Sequence, residues 1–128
     1  MNRFPMIERA VKELIETRYE PAAGRVGGDL SYDGSSDLYV WIGLVPGGGT
    51  DEINGLWVLD IDCFARTYSA AMDAALDLET VLIGRRLVTS VMLLDTGSQN
   101  EVPSERAWDD DSSYRVGATY VFTARRSG

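Results

Sequence analysis

The sequence predicts an α+β two-layer sandwich in the order α-β-β-α-β-β, with a four-stranded, mostly antiparallel sheet and two helices packed on it. Three observations lead there. In residues 56–65 side chains alternate across a pleat, so Trp57, Leu59, Ile61, Cys63 and Ala65 share one face and Asp60 and Asp62 the other. Immediately afterwards the period becomes helical, with Ala71, Ala75, Leu78 and Leu82 at spacings of four, three and four, widened by Met72, Leu76 and Ile83, and Gly84 supplies a stop. The closing run 114–125 alternates again, with Tyr114, Val116, Ala118, Tyr120, Phe122 and Ala124 inward and Arg115, Thr119, Thr123 and Arg125 outward. A strand that must hide one face, followed by a helix with an apolar stripe, packs as two layers.

Taken in order, the chain opens with a helix from Phe4-Pro5-Met6-Ile7, where proline suits the first turn. Ile7, Ala10, Val11, Leu14 and Ile15 form its stripe, and Glu8, Arg9, Lys12, Glu13 and Glu16 cover the rest. Glu8 and Lys12 stand in the favoured order, a gain of only about 0.2–0.5 kcal/mol, so tertiary packing must hold this helix. Pro21 ends it. Residues 21–37, rich in Gly, Ser and Asp, read as a loop with room for a short extended piece. Residues 38–45 read as a largely buried strand, joined to the 56–65 strand as an antiparallel hairpin through the tip Pro46, Gly47, Gly48, Gly49, Thr50, Asp51 and Glu52. That tip is no phosphate loop, because no Gly-Lys-Ser/Thr follows and Asp51 and Glu52 repel an anion. Residues 87–94 form the third strand. Residues 95–113 read as a long polar loop carrying Arg106, Trp108 and the run Asp109, Asp110 and Asp111.

At 128 residues the chain reads as one domain, 1–128, able to bury roughly two-thirds of its unfolded surface without a covalent staple. Its single cysteine, on the inward face, is read as a small core residue. With no histidine, imidazole-dependent triads and the commonest zinc ligand are absent. No run approaches the roughly 18 apolar residues of a membrane span and no secretory signal pattern opens the chain, so a protein made in the cytoplasm, with no membrane association, is expected. A formal charge of −8 argues against general nucleic-acid binding, which depends on Lys and Arg releasing counterions. Lys12 is the sole lysine beside eleven arginines, a bias that suits interface chemistry as well as it suits coding composition.

Asp60 and Asp62 are the candidates for catalysis, since two acids two apart on a strand point the same way with Cα atoms roughly 6.5–7 Å apart and can share a hard cation, as in a small metal-dependent hydrolase. The alternative, favoured on the absence of a third placed acid, is that both sit on the sheet's wet face. The Asp109–Asp111 run lacks the rhythm of a calcium loop and reads as a solvated charge run. Trp108 beside it either tucks back onto the domain or anchors a partner.

The helix ending at Glu20-Pro21, the glycine-bearing hairpin, the strand Val58-Leu59-Asp60-Ile61-Asp62-Cys63-Phe64 running into an Ala-rich helix, and the closing Tyr114-Arg115-Val116-Gly117-Ala118-Thr119-Tyr120-Val121-Phe122-Thr123 together resemble the tail terminator proteins of long-tailed phages. That resemblance implies a structural virion protein without catalysis or cofactor, and with no catalytic, cofactor or metal residues. It implies a homo-oligomeric ring, six subunits by family precedent, assembled in the host cytoplasm and retained at the head-proximal end of the tail. Its partners would be the tail tube protein and a head-completion or neck protein, with DNA passing through without specific binding. Another head-tail neck protein is the alternative within the same class. Candidate interface residues are Pro46, Gly47, Gly48, Gly49, Thr50, Asp51, Glu52, Arg106, Trp108, Asp109, Asp110 and Asp111, which stand on the two long loops.

Overall fold

The computed structural model describes residues 6–28, 32, 37–44, 54–83, 87–88, 93–108 and 113–125. Helix α1 spans Met6–Arg18, strand β1 Val26–Gly27, β2 Tyr39–Leu44, β3 Asn54–Ala65, helix α2 Tyr68–Leu82, β4 Leu87–Val88, β5 Leu93–Glu105 and β6 Tyr114–Arg125, with a 3-10 turn at Glu20–Ala22. The strands form one sheet in the order β1-β2-β3-β6-β5-β4, parallel between β1 and β2 and antiparallel elsewhere. The expected α+β class and the order of the two helices hold.

Among the described residues the expected four strands are six. The short extended piece in the first loop is β1, fastened by Val40 N donating to Arg25 O at 2.9 Å. The segment expected as one strand over 87–94 contributes β4 and only the first two residues of β5. The expected polar loop 95–113 is strand as far as Glu105. Thr96-Gly97-Ser98-Gln99-Asn100 has neither apolar alternation nor β-branched density, so it carries no sequence signal of a strand. It pairs because β6 offers a regular antiparallel neighbour; the ladder has register shifts, and Pro103 is tolerated because β4 pairs only with Leu93 and Leu94, so that among the described residues this part of β5 is a sheet edge.

The inward face is as the alternation predicts. Leu59, Ile61, Cys63 and Ala65 of β3 join Val116, Ala118, Tyr120 and Phe122 of β6, Val40 and Ile42 of β2, and Ala71, Ala74, Ala75, Leu78 and Leu82 of α2 in one core. Ala10, Val11, Leu14 and Ile15 bring α1 onto it. Thr67 caps α2, its Oγ1 accepting from Ala70 N at 3.1 Å, which satisfies one of the free amides of the first turn. Gly84, the expected stop, lies outside the described residues. Tyr19 Oη donates to Asp77 Oδ2 at 3.2 Å, tying the end of α1 to α2; burial, helped by Asp77, pushes its hydroxyl up to about 12. Cys63 is fully buried, and desolvation drives its thiol well above the usual range, as befits a core residue. Three expectations for single side chains change, the first being Leu76, expected to widen the apolar stripe of α2 but 45% exposed. Glu8, expected at the surface, is buried, and Lys12 pairs forward with Glu16 at 3.8 Å. Tyr114, expected inward, is 37% exposed, because it stands at the sheet's end, edge-on to Tyr68.

Ile61→Asp puts an unpaired charge at the centre of this core and is expected to cost about 3 kcal/mol or more, enough to abolish soluble folding. Urea unfolding monitored by circular dichroism checks this; a cooperative transition close to the parent's midpoint would overturn the assignment of faces.

Candidate functional site

The opposite face of the sheet carries the chain's concentrated chemistry. Asp60 and Asp62 do point the same way, as their spacing requires, but the face is not simply wet. Asp62 is completely buried and Asp60 is 28% exposed. In the ladder Asp62 lies between Trp41 of β2 and Gly117 of β6, and Asp60 lies between Gly43 and Thr119. Gly117 has to be glycine, since a Cβ there would collide with the Asp62 carboxylate. The same side of β2 is shaped by Gly43, over which the Trp41 ring folds.

Two arginines close over these acids. Arg115 Nε donates to Asp62 Oδ2 at 2.7 Å, and its Nη1 donates to Ala107 O at 3.3 Å. Arg106 Nη1 lies 2.9 Å from Asp60 Oδ1 and 3.2 Å from Asp62 Oδ1, while Nη2 donates to Thr119 Oγ1 at 3.0 Å. Thr119 in turn donates to Asp60 Oδ1 at 2.6 Å. The contact between Arg106 and Asp62 is an ion pair without hydrogen-bond alignment, which leaves Asp62 Oδ1 buried with no hydrogen bond. Arg106 comes into position because its backbone N continues the ladder past β5, donating to Arg115 O at 2.8 Å.

Aromatic rings seal the cluster. Phe64, fully buried on this face, takes the edge of Trp108 at a centroid distance of 4.7 Å and also meets Tyr32 and Tyr39. The Arg115 guanidinium lies 5.3 Å from the Trp41 centroid and 5.6 Å from that of Phe64. Trp108 Nε1 donates to Ser113 Oγ at 2.9 Å, and Trp41 Nε1 donates to Gly28 O at 3.0 Å. The Trp108 ring therefore packs back onto the domain and stays partly exposed.

Burial lifts the Asp62 carboxyl above its ordinary value of 3.8; Arg106 and Arg115 oppose that push and Asp60 adds to it. Chemically the cluster is a neutralised, desolvated pair of ion pairs. Asp60 and Asp62 accept from guanidinium groups where a divalent cation would have to sit, and among the described residues no group of three or more Cys, Asp or Glu side chains is arranged to hold a metal.

Of the sequence-predicted interface residues, Arg106 and Trp108 come together in this cluster. Pro46, Gly47, Gly48, Gly49, Thr50, Asp51, Glu52, Asp109, Asp110 and Asp111 lie outside the described residues. The sequence reading missed Arg115, Thr119 and Phe64 as members. A usable signal was present: Arg115 and Thr119 were outward residues of a strand adjacent to the one bearing two outward acids.

The fold and this cluster define a class, a two-layer α+β sandwich whose second sheet face is closed by charges and rings instead of by helices. No protein-family model and no curated protein matches the chain. Among solved structures, a chain of the virion of a native gene transfer agent particle shares the fold, with a TM-score of 0.70 at 16% identity over 93% of this chain and 94% of that one.

Two outcomes test the cluster. Arg115→Leu leaves Asp62 buried against a weaker counter-charge and is expected to cost about 3 kcal/mol at neutral pH, shrinking on acidification as Asp62 takes up a proton. Equal loss at both pH values in urea melts would contradict it. Because the folded value of Asp62 lies above its unfolded value, the stability this group contributes is fully present below 3.8 and is lost as pH rises through the folded value. The unfolding free energy of the parent minus that of Asp62→Asn should therefore fall with rising pH across that window; a rise would mean the arginines outweigh burial.

Proposed function

We propose that this chain is a structural protein of a tailed-phage-type virion, and within that class a tail terminator, a subunit of a ring that caps the tail tube and joins it to the head-completion proteins. The observation that carries the reading is the shared fold with a chain of a virion particle over nearly the whole of both proteins. The resemblance of the terminal strand and the strand-to-helix junction to tail terminators supports the finer role. A ring of six subunits needs two different patches on each copy, and the sequence segments 46–52 and 109–111 supply residue types suited to one of them. The acidic balance of the chain suits a passage through which DNA moves without sticking. The reading includes no catalysis. A hydrolase at Asp60 and Asp62 would first have to displace two guanidinium groups from its carboxylates.

Particles assembled without this protein should have tails of irregular length or tails lacking heads in electron micrographs, and the purified chain should show masses of a closed oligomer as its concentration is raised in sedimentation. Normal, head-bearing tails in its absence would overturn the reading.

A further inference from the structure

The outer side of β5 is open over much of the strand. β4 pairs only with Leu93 and Leu94, and among the described residues no strand pairs with the outer side of 102–105. Val102 there is 68% exposed, and Ser104 and Glu105 are exposed beside it. An open edge is a template on which another chain can add a strand, and a β-branched apolar side chain favours that addition. A fold that leaves such an edge needs something to keep it from pairing with its own copies.

The backbone at residue 103 answers that need. Arg106 N donates to Arg115 O at 2.8 Å, toward β6, and amide direction alternates along a strand, so the backbone groups of residues 105 and 103 face outward. Residue 103 is proline, which has no N–H, and the outward row therefore lacks a donor directly beside Val102. The strand is also irregular there. Glu101 stands opposite Thr119 and Ser104 opposite Gly117, one residue more on β5 than on β6, a bulge that takes the edge out of line with a straight incoming strand. The exposed Glu105 adds a charge at the next outward amide. We propose that Pro103 guards this edge: with the bulge, it keeps β5 from adding the β5 strand of a second copy of this chain and leaves contacts between copies to other surfaces. The inference rests on strand geometry and does not require the virion role.

The test compares the full chain with Pro103→Val, which supplies the missing N–H, by sedimentation velocity over a concentration series and by amide hydrogen exchange followed by NMR. The variant should self-associate about tenfold more tightly than the parent, since two paired copies recover one outward hydrogen bond each. Its Glu105 amide should exchange more slowly as concentration rises, whereas in the parent that amide should exchange at one rate throughout. Adding Val102→Lys to Pro103→Val should restore the parent's behaviour. Should Pro103→Val lose the parent's circular dichroism spectrum, Pro103→Ala makes the same comparison with a smaller side chain. A folded variant that sediments like the parent would overturn the proposal. So would association of the variant that leaves Glu105 unprotected, or protection of Glu105 with concentration in the parent, which would make the edge a working contact. Ring formation by the parent through other surfaces leaves Glu105 unprotected, so the two readings fail separately.

Discussion

A carboxylate with no access to water, set in the middle of a sheet, constrains more of this molecule than any other group. Asp62 requires a glycine on the neighbouring strand to leave it room, an arginine on that strand to pair with it, and a second arginine to come back over it from the end of β5. Each requirement is local and steric or electrostatic. Together they set the register of β3 against β6 and the path of the chain after Glu105. A slip of one residue would carry the acids into the apolar core and Ile61 out of it.

The sheet is consequently two-sided in an uneven way. One face is dry because two helices cover it, which is hydrophobic burial of the ordinary kind. The other, among the described residues, is dry over Phe64, Asp62 and Gly117, where rings and paired charges exclude water. Replacing such buried pairs by apolar side chains is often neutral or favourable for stability, so the cluster is poorly explained as a source of stability alone. What it supplies geometrically is a fixed path for residues 106–108, held through Arg115 and the Ala107 carbonyl.

That fixed path bears on function. Under the assembly role proposed above, a subunit gains from meeting its neighbours with surfaces already shaped, because ordering them at the moment of contact subtracts from affinity. Rings locked by Ser113 and Phe64 and guanidinium groups locked by Asp60 and Asp62 meet that condition. The same locking works against metal-assisted hydrolysis, since the lone pairs a cation would use are facing Arg106 and Arg115.

Residues 56–65 and 71–82 were legible from periodicity because burial on one side writes itself directly into the chain, and Ile61, Cys63, Leu78 and Leu82 lie where that pattern puts them. The alternation also placed Asp60, Asp62, Arg115 and Thr119 on one face. It could not say that this face closes, because the partners lie 53 and 59 residues apart and their pairing depends on the register between two strands. Nor could it reveal β5, whose polar, proline-bearing sequence becomes a strand only when β6 is beside it. Local sequence thus determined the helices, the two central strands and which residues of those strands share a face. Tertiary structure decided which outward charges are buried, for burial of a charge depends on neighbours that no local period encodes.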